Sequence, residues 1–356
     1  MKNSKDSLVP ILTPVCIILT AMLLASGLIL AIGVNPLTAY GQMLKGALGS
    51  LNNLINSLNK AVPICFAAFA VAVSTWAGIF NIGVEGQLVF GAFGSAIAGA
   101  YLEGLPPTLH VTLSLLAGML FGMLFALLPT VLYVARDLNL LVVFILMNSI
   151  AKLLITFFIV GPFAVPGQMY AATKEIQKSA RLPYLVTNPN KLTAGILIVI
   201  VVGLLLWFYV GKTTSGYRLR ACGENAEAAR YAGIRVKRYQ AGALLAGGAL
   251  AGLAGGIEVL GTYHRLFDGF SPGYGFDGIP IAMLASGNPF GIMVGSFLFG
   301  ALRVGSTTMQ SKAGVSSEIV TFIQGVLVTL IAAQYIIQFT IKKLAEHKPE
   351  KGGAKQ

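Results

Sequence analysis

Residues 211–261 read GKTTSGYRLRACGENAEAARYAGIRVKRYQAGALLAGGALAGLAGGIEVLG. Their first half, 212–238, is polar over 27 residues and carries seven of the chain's 25 Lys and Arg: Lys212, Arg218, Arg220, Arg230, Arg235, Lys237 and Arg238. Apolar segments flank it at 192–211 and 239–262, each near the roughly 20 residues a helix needs to cross a bilayer. A strongly cationic loop between membrane helices is cytoplasmic by the positive-inside rule. Within it, Glu224-Asn225-Ala226-Glu227-Ala228-Ala229 has good helix propensity. A helix that short does not persist alone in water, so it needs a surface to pack on.

The rest of the chain agrees with a membrane location. Hydrophobic residues make up 56% of the 356 and charged residues 11%, against about 25% charged in soluble domains. The class is an all-α polytopic membrane protein. A single transmembrane domain fills 1–341, and 342–356 is a basic cytoplasmic tail. The net charge of +12 follows from positive-inside asymmetry plus that tail and does not indicate nucleic-acid binding. Cys16, Cys65 and Cys222 have no disulfide or metal spacing. His110, His264 and His347 are isolated, so neither a metal nor a cofactor is expected. The apolar run 11–32 exceeds a signal-peptide core, which makes it an uncleaved first helix.

About ten transmembrane segments can be drawn, at 10–33, 61–80, 88–104, 109–134, 140–161, 192–211, 239–262, 277–288, 290–311 and 318–341. The third and eighth are short enough to be broken or half-crossing. With both termini cytoplasmic, the inside segments 1–9, 81–87, 135–139, 212–238 and 342–356 hold 15 Lys and Arg, and the opposite loops hold 8. Residues 34–60 read as an amphipathic helix on the outer surface. Residues 162–191, with four prolines, read as an ordered external loop or cap.

Four features bear on chemistry. Gly211-Lys212-Thr213-Thr214 resembles the end of a phosphate-binding loop, but Leu206 stands where that loop needs its first glycine and no strand precedes it. Gly248, Gly252 and Gly256 recur every fourth residue, a spacing that lets membrane helices approach closely. Asn81-Ile82-Gly83-Val84-Glu85-Gly86-Gln87 sets an acid between glycines. It is either a cytoplasmic turn or a helix break whose free backbone groups line an aqueous cavity. Asp277 opens the short eighth segment and suits a helix cap. Glu258 and Arg303 lie inside apolar spans, where ionisable residues are either functional or paired, with each other or with a similar partner.

GYRLRACGENAEAARYAGI followed by AGALLAGGALAGLAGGIEVLG resembles the signature of permease subunits of bacterial ABC importers, in the group that includes ribose, other simple-sugar and branched-chain amino-acid permeases. NIGVEGQLVFGAFGSA, GFDGIPIAMLASGNPFG and GVSSEIVTFIQGVLV look most like the nucleoside permeases. The resemblance runs from 61 to 341. It implies a multi-pass permease in the bacterial cell membrane that is not itself an enzyme and imports nucleosides. The alternative cargoes are simple sugars or branched-chain amino acids. The implied partners, besides the lipid bilayer, are an ABC ATPase with two fused cassettes, a second homologous permease chain and a substrate-binding lipoprotein. The family's coupling helix falls on 223–233, which contains Gly223, Glu224, Asn225, Ala226, Glu227, Ala228, Ala229 and Gly233. Asn81, Glu85, Gln87, Asn148 and Asp277 are candidate pathway residues, with Phe80, Phe90 and Phe276 as aromatic faces. An ion-coupled secondary transporter using Glu85 and Glu258 is the reading from another class. It leaves the cationic loop without a role.

Overall fold

The computed structural model describes residues 19–165, 167, 170–188, 190–316, 318, 319, 321–323, 325, 326 and 329. The expectations for 1–18, for most of the tenth span, for the tail 342–356, and for Cys16, Pro166, Pro189 and His347 fall outside those residues.

The described residues from 318 to 329 are helical, and twelve further α-helices have defined ends. They are α1 (Leu19–Ala31), α2 (Pro36–Leu48), α3 (Leu51–Trp76), α4 (Val84–Tyr101), α5 (Pro107–Arg136), α6 (Leu140–Val160), α7 (Gly195–Lys212), α8 (Thr214–Glu224), α9 (Ala226–Tyr231), α10 (Val236–Glu258), α11 (Tyr274–Leu284) and α12 (Pro289–Ala313). Six are long and apolar enough to span a membrane, or seven if the pair α1 and α2, bent by 116°, counts as one span. The chain is therefore a polytopic all-α membrane protein. One small element departs from that class: an antiparallel pair, β1 (Tyr184–Val186) with β2 (Leu192–Thr193), in register Tyr184 to Thr193.

Burial sorts the helices into layers. The most apolar stretches of α3 and α10 are 78% buried, whereas those of α5, α6 and α7 are only 28%, 22% and 17% buried. The outward faces of α5–α7 carry large apolar residues such as Leu153, Phe157 and Leu205. Such faces suit acyl chains or another membrane-embedded surface. Small residues hold the centre together. Gly252 of α10 lies against Gly118 and Gly122 of α5 and Gly91 of α4, so closely that a Cβ at Gly252 would meet the Gly118 carbonyl. Gly248 meets Gly122 and Ala126, and Gly256 meets Ser95. The four-residue glycine spacing is thus a packing seam.

That seam yields a first prediction. Gly252→Val is expected to prevent accumulation of folded protein, because the blocking atom is backbone and overpacking costs about 1–3 kcal/mol or more. Gly242→Ala, where a Cβ meets nothing within 4 Å, is expected to be silent. Size-exclusion profiles of the two detergent-extracted variants compare them directly.

Two expectations need correction, and one open alternative is decided. Residues 34–60 are not one surface helix. Gly49 ends α2, and Ser50 caps α3 by accepting from the Asn53 N–H at 3.2 Å, so 51–60 belongs to the long membrane helix. Of the two readings of 81–87, the helix break is the one found, with Asn81, Gly83, Gly86 and Gln87 buried between α4, α6 and α10. The coupling helix assigned to 223–233 is not one helix: Gly223 and Glu224 end α8, Asn225 leaves helical conformation, and α9 follows over Ala226–Tyr231.

Candidate functional site

The break before α4 shapes the site. After α3 ends at Trp76, Gly78 takes φ 77° and the chain runs non-helically to Gly83. Asn81 Oδ1 accepts from the Gly83 N–H at 2.9 Å, and Asn81 Nδ2 donates to Gln87 Oε1 at 3.2 Å. Asn148 of α6 braces the same break. Its Oδ1 accepts from the Gly86 N–H at 2.9 Å and its Nδ2 donates to the Ile82 carbonyl at 3.0 Å. The side-chain amides thus satisfy backbone groups that the break removes from helical pairing.

Glu85 projects from the first turn of α4 and accepts from the Gly275 N–H at 2.7 Å, on the first turn of the half-helix α11. This is the favourable end of that helix for an anion. Sequence reasoning gave the cap to Asp277. Asp277 instead lies deeper and is buried, paired to Arg303 Nε at 2.6 Å. Arg303 also donates to the Pro272 carbonyl at 3.1 Å. Glu258 pairs not with Arg303 but with Lys60 of α3 at 2.9 Å. Tyr274 donates to the same Glu258 oxygen at 3.2 Å, and Lys60 reaches the Tyr274 hydroxyl at 2.8 Å. Just beyond Glu258, α10 loosens to an i→i+5 turn over Val259–Tyr263, closed by the His264 N–H on the Val259 carbonyl at 2.8 Å.

A cavity of about 470 Å³ opens beside Glu85. Of the five predicted pathway residues, Glu85 and Asn148 line it. Asn81 and Gln87 stand behind its wall as braces, and Asp277 is held apart by Arg303. Of the predicted aromatics, Phe276 lines the cavity and remains half exposed, whereas Phe90 is stacked on Phe125 with ring centroids 4.3 Å apart. Sequence reasoning missed Ser149, Lys152 and Ser271, together with Phe267 and Asp268. Lys152 was visible as a charge inside an apolar span. The segment 264–273 lacked a signal, because it reaches the cavity only through pairing with distant chain. Thr173 donates its N–H to the Leu266 carbonyl at 2.8 Å, and Ile176 to that of His264 at 2.9 Å. Asp268 accepts from the Thr156 hydroxyl at 2.8 Å. Among the described residues no group of three or more His, Cys, Asp and Glu could hold a metal.

The predicted coupling segment lies at the other end of α10. Asn225 caps α9, accepting from the Ala228 N–H at 2.9 Å, and follows Gly223 and Glu224 at the end of α8. Ala229 is buried against Cys222 and Val236, while Glu227 and Ala228 face outward. Gly233, at φ 77°, turns the chain towards α10. Tyr231, within the predicted 223–233 segment but not singled out there, is 94% exposed. Gly223 packs against Gly78 and the Trp76 carbonyl, so this segment touches the end of α3 where the break towards Glu85 begins. Cys222 is buried, and that burial pushes its thiol pKa up. It is therefore a poor thiol for topology labelling.

A family model described as "Branched-chain amino acid transport system / permease component" matches residues 53–332. A guanosine ABC transporter permease of Bacillus subtilis (strain 168) is 31% identical over 94% of this chain and 96% of its own length. A glucose ABC transporter permease of Haloferax volcanii is 30% identical over 92% of this chain and 89% of its own. A nucleoside ABC transporter permease of Lactococcus lactis subsp. cremoris is 28% identical over 94% of this chain and 93% of its own.

Proposed function

This chain belongs to the branched-chain amino acid transport system / permease component family, and on that footing we propose that it imports nucleosides. It is the multi-pass permease subunit of an ABC importer and not an enzyme. The proposed setting is a bacterial cytoplasmic membrane. The proposed partners are an ATPase with two fused cassettes, a second permease chain and a substrate-binding lipoprotein. Two of its relatives are a guanosine and a nucleoside permease.

The observation that carries the cargo reading is the 470 Å³ cavity. It joins hydrogen-bonding groups on Glu85, Asn148, Ser149, Lys152, Asp268 and Ser271 to the half-exposed ring of Phe276. A nucleoside presents a flat base and a hydroxylated sugar, and this lining offers a surface for each. The volume falls in the usual range of small-molecule sites, about 300–1,000 Å³. A sugar reading draws on the glucose permease relative. A sugar uses the polar groups but needs no base-sized aromatic face.

The proposed coupling path starts at α8 and α9, where the ATPase docks. It runs through the Gly223–Gly78 contact to the break at 79–83, and from there to Glu85 and the N-terminus of α11. The packed glycines of α10 move with α4 and α5 as one body. Alternating access then follows from rocking of two such bodies around the cavity.

Phe276→Ala tests the cargo reading. Base stacking on an aromatic ring is worth about 1–3 kcal/mol, so the KM for nucleoside uptake is expected to rise about tenfold. Phe276→Trp is expected to restore it. An unchanged KM in the alanine variant contradicts the assigned stacking role.

A further inference from the structure

A second cleft, of about 870 Å³, opens at the other end of α10, between the last turns of α7, helix α8 and the first turns of α10. It is chemically two-sided. Its floor is Val73 of α3 and Ala243 of α10, and its walls are Leu206 of α7 with Ala246 and Leu250 of α10. Its rim carries three guanidinium groups, Arg218, Arg235 and Arg238. All three residues are exposed, and among the described residues none has a carboxylate within 4 Å. Tyr209 and Ser215, which hydrogen bond to each other at 3.0 Å, add hydroxyls to the rim.

Position fixes the surroundings. The apolar walls belong to two membrane-spanning helices, and the outer face of α7 beside them exposes Leu204, Leu205 and Phe208. The rim lies where those helices give way to the cationic 212–238 segment. The cleft therefore straddles the boundary between hydrocarbon and headgroups on the side where positive charge concentrates. That leaflet is rich in anionic lipid, which basic residues near its surface attract.

We propose that this cleft is a binding site for one anionic phospholipid of the cytoplasmic leaflet. The phosphate sits among Arg218, Arg235 and Arg238, and an acyl chain lies along Leu206, Ala246 and Leu250. Charge complementarity selects this occupant. A free phosphate or nucleotide would use the rim and leave the apolar walls bare. A zwitterionic lipid would fill the walls and leave the summed rim charge uncompensated. Arginine guanidinium groups suit phosphate oxygens because they donate in a planar fork. Because α7, α8 and α10 all border the cleft, a bound lipid would tie the proposed coupling segment to the membrane body.

The test uses the assembled transporter in nanodiscs with photoactivatable phosphatidylglycerol or phosphatidylcholine, each carrying its reactive group in the acyl chain. The phosphatidylglycerol probe is expected to label 206–209 and 246–250 about tenfold more than the phosphatidylcholine probe. Arg218→Gln with Arg238→Gln should reduce that labelling to the phosphatidylcholine level. Ala246→Trp should abolish it with the rim intact, which separates a lipid from a simple anion site. Excess inorganic phosphate should not displace the lipid probe. Equal labelling by the two probes, insensitivity to either variant, displacement by inorganic phosphate, or crosslinks from these walls to another protein chain would each overturn the proposal.

Discussion

Tyr231→Ala is expected to lower ATP-driven uptake by about a hundredfold while leaving the permease folded in the membrane. Tyr231 is 94% exposed at the end of α9, outside the buried core of the described residues. An exposed aromatic on a short, capped helix is the kind of anchor that dominates a docking interface, where loss of one such residue costs 2 kcal/mol or more, roughly. Ala229→Pro should have a comparable effect by a different route. It removes the Ala229 N–H bond to the Asn225 carbonyl, at 3.0 Å, from a helix of six residues. Proline inside a helix costs about 3 kcal/mol. ATPase activity measured beside uptake reads out the coupling. Normal substrate-stimulated uptake in both variants would remove α9 from the account.

The second large effect is in stability. Glu258→Ala leaves Lys60 facing Tyr263 and Tyr274 without its carboxylate. Removing one partner of a buried pair costs about 3–5 kcal/mol. Lys60 is 29% exposed at its side chain, so the lower end of that range applies. The double variant Lys60→Met with Glu258→Leu is expected to recover more than half of the loss in thermal unfolding of the solubilised protein, and to retain ATP-driven uptake. A secondary transporter that used Glu258 as its coupling acid would lose transport in the double variant even when folded. The same experiment therefore separates the two classes of mechanism.

The long spans were legible because each is set by a local run of apolar residues. The 140–161 and 290–311 readings nearly coincide with Leu140–Val160 and Pro289–Ala313. The glycine seam of α10 was legible for the same reason. The broken elements were not, since what ends them is remote in sequence. Glu85 meets Gly275 across 190 positions, and Asn148 braces Gly86 across 62. Asp277 was assigned the cap from its place at a helix start, but Arg303, 26 residues on, competes for it at 2.6 Å. The start of α3 carried a usable signal in Gly49-Ser50 that the apolar spacing of 34–60 obscured. The split between α8 and α9 could have been read from Asn225, a strong N-cap residue three positions before Ala228. Phe267 and Asp268 carried no such mark, because the chain pairing that brings them to the cavity joins two loops.

Uptake into proteoliposomes tests the central claim most directly. The chain is reconstituted with its ATPase, second permease and binding protein, with ATP enclosed on the ATPase side, and supplied with labelled guanosine, adenosine or uridine. Saturable, ATP-dependent accumulation of nucleosides is expected, with glucose, ribose and leucine failing to compete. Saturable glucose, ribose or leucine uptake that no nucleoside inhibits would contradict the nucleoside assignment.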